Sequence, residues 1–474
     1  MANRKLVAGV DSSTQSCKVV IRDANTGELL REGRAPHPDG TEVAPKHWVS
    51  ALDNAIKDAG GISDISAISI AGQQHGMVAL DSSGAVIRDA LLWNDTRSAD
   101  AAEELNIEIG GSVGMANKVG SRLVASFTAS KLRWLADHEP NNSKRVAGVA
   151  LPHDWLSWQL QFNEGEARDF QKLFTDRSEA SGTGYFDPTT STYRREILAT
   201  ALRRDTDIYL PKIIAPASFG GMTPSGIQIA PGAGDNAAAA LGIQAEAGDV
   251  VVSLGTSGTA FAVSDTATHD PSGEVAGFAD ATGRYLPLVC TLNAARILDA
   301  ATKILGKSHS EVSDLALSAA AGANGLTLLP YFEGERTPNR PNATGVFSGM
   351  NLNNSNPSDI ARAMVEGMLC AMVDAVAALE KLGVDVKRII LIGGASKNPA
   401  VSQIAAALFG REVLLPPPGE YVANGAARQA AWALLGSQSA PVWDLGAIEK
   451  VKAAPTPQVV EKYRELRDRT ESWK

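Results

Sequence analysis

The sequence predicts a mixed α/β protein built from two similar domains. Its 474 residues exceed the size at which a single hydrophobic core keeps growing. Two stretches share one design, an apolar run, a turn of small polar residues and a second apolar run: VAGVDSSTQSCKVVI at 7–21 and VVVSLGTSGTAFAV at 250–263. A strand-like run ending in a glycine turn follows each of them, at 65–76 and at 386–398. The same elements in the same order indicate a duplicated domain.

The composition restricts the partners and the compartment. The chain is 44% apolar and 20% charged, as in ordinary globular proteins. A net charge of −9 without a basic segment argues against binding to nucleic acid or to an anionic membrane surface. The apolar run after Lys5 is interrupted by Asp11, and no run reaches the roughly 18 residues of a membrane span. We therefore expect a cytoplasmic protein that acts on small molecules.

Three cysteines, Cys17, Cys290 and Cys370, are widely spaced and form no CxxC pair. An odd number of isolated cysteines is not typical of a disulfide framework or of a structural zinc site. Reduced thiols agree with the cytoplasm.

In the first half, the stretch 7–21 predicts a β-hairpin because alternating apolar residues flank a short polar turn. A third strand at 29–34, an amphipathic helix at 48–59 and a buried strand at 65–71 follow. The Pro- and Gly-rich segment 211–224 is either a connection or a sheet edge. We place the boundary after residue 242, with domains at 1–242 and 243–474.

The second half begins again with a hairpin at 250–263, followed by helices near 293–305 and 310–321. A long helix is expected from Pro357 to Leu382, because Asn356 can cap it, Pro357 suits its first turn and Gly383 ends it. Its apolar face contains Ile360, Ala363, Met364, Gly367, Met368, Ala371, Met372, Ala375, Val376 and Leu379, which indicates core packing. A buried strand near 386–392 then leads through a glycine turn into another helix.

Common nucleotide and catalytic signatures are absent. No GxxxxGK[ST] loop occurs, which excludes a P-loop site, and neither HExxH nor GxSxG is present. The run GAGDNA at 232–237 matches GxGxxA, which leaves a dinucleotide-binding oxidoreductase as an alternative. Asp235 within this loop would repel a pyrophosphate, so the match is weak.

Several polar residues have both a structural and a functional interpretation. Asp11 is either a turn residue or a carboxylate for Mg²⁺, because a hairpin whose amides cradle phosphate needs charge neutralisation. Asp235 is either a helix N-cap or a general base. His75 is either a hydrogen-bonded structural residue or a ligand at a strand end. Trp93 belongs either to the core or, with Asn94, to a sugar subsite, and Asp176 is similarly open.

A family resemblance rests on motifs spread over nearly the whole chain. They are GVDSST at 9–14, AGQQHG at 71–76, LWND at 92–95, TASKLRW at 128–134, GDNA at 234–237, SLGTSG at 253–258, LPYFEGERTP at 329–338, GVFSGM at 345–350 and IGGA at 392–395. Together and in this order they resemble the FGGY family of carbohydrate kinases, and within it the xylulokinase branch.

The resemblance implies two actin-like (ribonuclease H-like) domains, with ATP and sugar meeting in an interdomain cleft. It makes Asp235 the catalytic base and Asp11 the carboxylate that holds Mg²⁺ through water. The implied nucleotide-binding residues are Ser12, Ser13, Thr14, Gly255, Thr256, Ser257, Gly394, Ala395 and Asn398. The implied sugar-binding residues are Gln74, His75, Trp93, Asn94, Asp176 and Asp235.

The expected reaction is ATP-dependent phosphorylation of a ketopentose, D-xylulose, to its 5-phosphate, with ATP and Mg²⁺ as cofactors. Gln74 stands where xylulokinases commonly have Met, and the GGAS run at 393–396 resembles the glycerol kinase form. Ribulose or glycerol kinases, and a non-catalytic actin-like sugar sensor, are the alternatives. A homodimer is compatible with the sequence.

Overall fold

The computed structural model describes residues 4–205 and 207–473, which form two compact units. Unit 1 extends to Ala245 and also includes Asp265–Leu286 and Glu420–Asp444. Unit 2 consists of Glu246–Ser264, Pro287–Gly419 and the residues from Leu445 onward. The predicted boundary after residue 242 gives each domain one continuous segment. The two units are instead each assembled from several segments.

The helices are α1 (Lys46–Asp58), α2 (Ala99–Glu108), α3 (Gly111–Val119), α4 (Thr128–His138), α5 (Pro140–Arg145), α6 (Pro152–Gln159), α7 (Arg177–Ser181), α8 (Arg195–Ala201), α9 (Asp235–Gly242), α10 (Ala295–Leu305), α11 (His309–Ser318), α12 (Pro357–Lys381), α13 (Pro399–Phe409), α14 (Tyr421–Leu435) and α15 (Pro457–Arg469). Short 3₁₀ helices lie at Phe170–Lys172, Ala323–Gly325 and Gly394–Lys397.

The strands are β1 (Leu6–Ser12), β2 (Ser16–Asp23), β3 (Leu29–Pro36), β4 (Glu42–Val43), β5 (Ala67–Gly72), β6 (Val78–Leu80), β7 (Ala90–Leu91), β8 (Gly148–Ala150), β9 (Phe174–Thr175), β10 (Phe186–Asp187), β11 (Thr192–Tyr193), β12 (Lys212–Ile213), β13 (Gly221–Met222), β14 (Gln228–Ile229), β15 (Ala233–Gly234), β16 (Asp249–Leu254), β17 (Gly258–Ala262), β18 (Ala276–Ala279), β19 (Tyr285–Thr291), β20 (Thr327–Leu329), β21 (Val346–Ser348), β22 (Arg388–Ile392), β23 (Val413–Leu415) and β24 (Glu449–Val451).

The main sheet of unit 1 has the strand order β13-β14-β5-β1-β2-β3, and β15 also pairs with β5. Strand β1 runs antiparallel to β2 and parallel to β5. All residues of β1 are buried, so its sequence is a continuous apolar run before Asp11 rather than an alternating one. The predicted hairpin, third strand, first helix and buried strand are confirmed, and the Pro- and Gly-rich segment supplies the edge strand β13.

Helix α14 lies near the end of the sequence, yet it packs against β1, β5 and α9 of unit 1. The approach is very close: a Cβ on Gly9 would lie 2.0 Å from the carbonyl oxygen of Ala423, and one on Gly425 would lie 1.8 Å from that of Ala238. Only glycine allows backbones to approach this closely. This packing brings Glu420–Asp444 into unit 1.

In unit 2 the strands run in the order β19-β17-β16-β22-β23-β24. Strand β16 pairs antiparallel with β17 and parallel with β22. The same relation joins β1, β2 and β5 in unit 1, which confirms the predicted duplication.

Helix α12 begins and ends within one residue of the expected bounds, and Asn356 caps it by accepting a hydrogen bond from the Asp359 amide. The prediction that only one apolar face of this helix is buried is incomplete. The helix is buried on nearly all sides because α10, α11, α13, α15 and β20 surround it. Even Arg362 and Glu366 are buried, as an ion pair at 2.6 Å.

The three cysteines are buried thiols. Within the described residues, no helix has the length and apolar character needed to cross a membrane.

Candidate active site

Asp11 is the penultimate residue of strand β1 in unit 1 and is only 3% exposed. Its Oδ2 lies 3.7 Å from Nζ of Lys18, the residue opposite it on β2, and Lys18 in turn contacts Glu420 at 2.5 Å. Its Oδ1 is buried and accepts no hydrogen bond from the described residues. Burial raises the pKa of Asp11 to about 6, against the opposing effect of Lys18. The hairpin therefore presents a buried carboxylate with one unused oxygen.

The turn after Asp11 is joined to neighbouring loops. The Ser12 carbonyl accepts from the Gln73 amide at 3.2 Å, and the Ser13 carbonyl lies 2.7 Å from Nδ1 of His37. Thr14 Oγ1 accepts a hydrogen bond from Nε1 of Trp93 at 2.8 Å. Trp93, expected at the sugar subsite, is therefore also bonded to the expected phosphate turn.

Asp235 is the first residue of α9, directly after β15. Gly234 occupies the N-cap position, and Oδ1 of Asp235 accepts hydrogen bonds from the amide and Nδ2 of Asn236 at 2.8 and 2.9 Å. Burial, followed by the negative charge of Asp11, raises the pKa of Asp235 to about 7. A carboxylate with a pKa near the working pH is suited to accept a proton.

The loop after β5, residues 73–76, contains two of the residues predicted to bind sugar, Gln74 and His75, and for that prediction it is called the sugar loop below. His75 adopts φ 71°, in the left-handed region that non-glycine residues rarely occupy. Its Nδ1 lies 2.7 Å from the Gly182 carbonyl oxygen, and its ring packs against Phe127 and Phe278. Gln74 Nε2 donates to the Ser178 carbonyl at 2.6 Å. The side chains of this loop are thus bonded to the region of α7.

Helix α7 also holds the turn before Asp235. The Asp176 carboxylate caps α7 by accepting from the amides of Ser178 and Glu179, and it accepts from Ser178 Oγ at 2.6 Å. Ser178 Oγ in turn accepts the Gly234 amide at 3.0 Å. Asp176 therefore positions α7, while its expected contact with sugar stays a prediction.

Sequence reasoning missed a buried polar cluster beneath these turns, formed by His153, Asp154 and Glu179 with Asp176. His153 lies 3.5 Å from Asp154 and 3.4 Å from Asp176, which together raise its pKa against the effect of burial. Glu179 is fully buried with both oxygens unbonded among the described residues, and burial raises its pKa well above the usual range. The Asp-x-x-Glu spacing of 176–179 was a detectable helix-start signal.

Asn94 and Asp95, which follow Trp93 in the sequence, differ in how their oxygens are bonded. Asn94 Oδ1 is buried and unbonded among the described residues. Asp95 accepts hydrogen bonds from Thr41 Oγ1 and from Arg97, which outweigh burial and lower its pKa. Asn94 is therefore the better candidate for a ligand contact.

In unit 2, Gly255, Thr256 and Ser257 form the turn between β16 and β17. The Gly255 carbonyl accepts the amide of Ala295, the first residue of α10, at 2.9 Å, and the Thr256 side chain is exposed. The unit 2 hairpin thus ends in an exposed threonine beside a helix N-terminus, and its expected contact with phosphate stays a prediction.

The second expected nucleotide turn follows β22. Gly393 adopts φ 92°, and a Cβ there would lie 2.6 Å from the Leu254 carbonyl, whereas Gly394 faces open space. Ala395 is buried in the 3₁₀ helix, and Asn398 caps α13 by accepting the Ala400 amide at 2.9 Å. Gly393 is thus required by close packing against β16, Gly394 leaves open space where a ligand could lie, and Asn398 has a structural role.

Among the described residues, no group of three or more His, Cys, Asp or Glu side chains is arranged to hold a metal ion.

Models of the N-terminal and C-terminal domains of the FGGY family of carbohydrate kinases match residues 6–242 and 250–434. The xylulose kinase of Streptomyces coelicolor is 40% identical over 455 residues, covering 93% of this chain and 90% of that protein. That of Streptomyces rubiginosus is 39% identical over 485 residues, covering 99% and 95%.

Among solved structures, the xylulose kinase from Bifidobacterium adolescentis has a TM-score of 0.91 and 47% identity, covering 98% of this chain and 99% of that chain. The predicted α/β fold with two actin-like domains is confirmed by this similarity. Both family models together span most of the chain, and the relatives align over nearly their full length. The chain therefore belongs to the FGGY family of carbohydrate kinases, and it is a phosphotransferase.

Proposed function

We propose that this protein transfers the γ-phosphoryl group of ATP to the 5-hydroxyl of D-xylulose, giving D-xylulose 5-phosphate and ADP. One observation carries the proposal: Asp235 is a carboxylate whose pKa, raised by burial and by Asp11 to about 7, suits a general base. It follows a turn that Ser178 joins to the sugar loop. The xylulose kinases among the relatives suggest the substrate.

In this mechanism the oxygen of the sugar 5-hydroxyl attacks the γ-phosphorus, and Asp235 accepts the proton of that hydroxyl. The bond between that phosphorus and the bridging oxygen of ATP breaks, and its electron pair leaves with ADP. Phosphoryl transfer requires mainly alignment and charge stabilisation from the protein. The hydrogen bonds from Asn236 to Oδ1 orient the carboxylate, so that its other oxygen is available for the proton.

The residues at the unit 1 hairpin fit Mg²⁺ held through water. Asp11 offers a buried carboxylate whose Oδ1 accepts no hydrogen bond within the described chain, the kind of oxygen that Mg²⁺ prefers. Lys18, which is itself paired with Glu420, lies 3.7 Å from the other oxygen of the carboxylate. Bound Mg²⁺ would supply charge neutralisation at the β- and γ-phosphates.

The nucleotide is assigned to turns in both units. In unit 2, Gly255, Thr256 and Ser257 would contact the phosphates, and Gly394, Ala395 and Asn398 would lie near the adenosine. The support is the exposed turn beside the N-terminus of α10 and the open space over Gly394. In unit 1, Ser12 supplies a buried hydroxyl without a partner among the described residues, next to Ser13 and Thr14.

The sugar is assigned to unit 1. His75, Gln74, Trp93 and Asn94 would form the subsite, with Asp176 holding α7 behind it. The ring of His75 is fixed by Phe127 and Phe278, so its polar edge has one orientation. A fixed hydrogen-bonding group selects strongly among hydroxyl orientations.

We place the reaction in the cytoplasm, where ATP and reduced thiols are found. Light scattering tests whether the protein is a homodimer.

Coupled release of ADP tests the function. The purified protein is incubated with ATP, Mg²⁺ and one sugar from a panel of D-xylulose, D-ribulose, L-ribulose, glycerol and gluconate. We expect the highest kcat/KM for D-xylulose and a product that is phosphorylated at oxygen 5 by NMR. A higher kcat/KM for another member would reassign the substrate. Sugar-independent ADP release alone would contradict a carbohydrate kinase function.

A further inference from the structure

Lys131 is a lysine whose amine lies inside unit 1. It lies on α4 and is 0% exposed. Its Nζ donates to the backbone carbonyls of His75, at 3.0 Å, and of Ser126. Among the described residues no carboxylate lies within ion-pair distance of Nζ, although the charge of Asp95 acts on it from further away.

A buried ammonium is unfavourable unless its surroundings compensate for lost hydration. Burial lowers the pKa of Lys131 to about 7, and the charge of Asp95 only partly opposes this. A neutral amine keeps two N–H groups, enough for both carbonyls. Lys131 can therefore bind the carbonyls of His75 and Ser126 in either protonation state, and its hydrogen bonds are stronger when the amine is charged.

The carbonyl that Lys131 binds belongs to a strained residue. His75 has φ 71°, and such a conformation in a bulky residue persists only where its surroundings enforce it. The first turn of α4 supplies the restraint. Thr128 Oγ1 donates to the same carbonyl at 3.1 Å, while Phe127, directly before the helix, packs on the ring. Lys131 and Thr128 thus hold the backbone of His75, and Phe127 holds its side chain.

We propose that Lys131 is a positioning residue for sugar recognition, which pre-organises the sugar loop by binding the His75 carbonyl from inside the protein. It does not itself contact substrate. The inference rests on the proposed function, in which His75 binds the sugar. Because a pre-formed loop has little entropy left to lose when the sugar binds, the main effect of Lys131 is on sugar affinity and not on the nucleotide.

The test compares Lys131→Met with Ser130→Ala. Methionine keeps most of the side-chain volume but removes both hydrogen bonds. Ser130 is a matched control, because it is equally buried on α4 but donates to the Val124 carbonyl, away from the sugar loop. We expect Lys131→Met to raise the KM for the sugar on the order of 10- to 100-fold, since hydrogen bonds from charged groups are the strong ones. The KM for ATP changes less than about 2-fold, and Ser130→Ala changes neither constant appreciably.

Rescue separates positioning from general damage. In Lys131→Ala, added n-propylamine replaces the deleted stem and amine, so we expect a saturable recovery of the sugar KM with no change in the ATP KM. Recovery to the same extent by ethyl methyl sulfide, which has the same number of heavy atoms but no hydrogen-bond donor, would indicate cavity filling and overturn the proposal. Equal changes in both KM values in Lys131→Met, or no change in either, would overturn it as well.

Two further measurements cover the remaining outcomes. If Lys131→Met does not fold, Thr128→Val removes the other donor to the same carbonyl. It should raise the sugar KM in the same direction but less, and an unchanged sugar KM would contradict the proposal. All comparisons use the sugar that the wild-type protein phosphorylates best, so a different substrate revises the function without affecting this test.

Hydrogen–deuterium exchange of the backbone amides in a peptide covering 73–77 tests the proposal without measuring activity. We expect faster exchange in Lys131→Met, or in Thr128→Val, than in Ser130→Ala. If the wild-type protein phosphorylates no sugar, the proposed function fails, and unchanged exchange would separately overturn the role of Lys131.

Discussion

Asp235 and Asp11 are electrostatically coupled carboxylates of unit 1: after burial, the charge of Asp11 is the largest contribution that raises the pKa of Asp235, to about 7. Asp11 itself is buried, with Lys18 beside it. Two carboxylates in one poorly solvated region oppose each other's ionisation. Their environments nevertheless differ, because a cation contacts Asp11 and only amides contact Asp235.

The first prediction concerns Asp235→Asn. Because the proposed base must be deprotonated, the wild-type rate should rise with pH through about 7 and then level off. The amide cannot accept the proton, so we expect kcat to fall about 100-fold or more while sugar affinity is retained. Rates over pH 5.5–9 and calorimetric sugar binding check this. A variant that is folded and retains near-normal kcat would exclude Asp235 as the base.

The second prediction concerns Asp11→Asn. Removing this negative charge lowers the pKa of Asp235, so whatever activity remains should reach half its plateau at a lower pH than in the wild type. We also expect the Mg²⁺ concentration for half-maximal rate to rise on the order of 10-fold, with little change in sugar KM. Asp39→Asn, at an exposed position of unit 1, is the charge control. An unchanged magnesium titration would argue against Asp11 as the metal carboxylate.

The third prediction uses the strained backbone of His75. Both His75→Ala and His75→Gly remove the ring and should lower the selectivity for D-xylulose over glycerol, leaving the KM for ATP near the wild-type value. Only glycine accepts φ 71° without strain, so His75→Gly should unfold at the higher denaturant concentration, with a difference of about 1 kcal/mol. Equal stability of the two variants would show that the loop relaxes when the ring is absent. A raised ATP KM with unchanged sugar kinetics would contradict the assignment to sugar.

The fourth prediction tests the connection from α7 to the base. Ser178→Ala leaves the buried Gly234 amide without its acceptor, which should cost about 1–3 kcal/mol of stability. Because Gly234 precedes Asp235, we also expect kcat to fall about 10-fold while the KM for ATP is unchanged. Ser181→Ala is the matched control: it lies on the same helix and accepts the Ala279 amide instead. If both variants lose kcat equally, the effect comes from α7 as a whole and not from the Gly234 contact.

Local sequence patterns were sufficient for the two hairpins, for the strands and helices predicted beside them and for the duplication. The apolar runs around 7–21 and 250–263 predicted both hairpins, and the signals at Asn356 and Gly383 predicted α12 to within one residue. Turn, cap and periodicity signals depend on residues that are neighbours in the chain, and so they are readable without a structure. The family assignment, now confirmed, rested on the same kind of short motifs.

The site could be predicted only as a set of candidates. Asp11 and Asp235 were chosen because each follows a strand and stands in a turn, but their electrostatic coupling is visible only when the strands are assembled. Asp176 shows the limit most clearly: its sequence context allowed a sugar contact, and the structure shows its carboxylate capping α7.

Contacts between residues far apart in the sequence were decided by tertiary structure alone. The close approach of α14 to Gly9 and the hydrogen bond from Lys131 to His75 have no signature in composition or periodicity. The lysine at 131 looks like any polar residue on an amphipathic helix until the packing of α4 buries it. The sequence by itself determined the hairpins, the capped helix α12 and the other predicted strands and helices, because those preferences are local. Packing decided which polar groups lose their water and must find partners, and that loss of hydration raises the pKa of Asp235 and lowers that of Lys131.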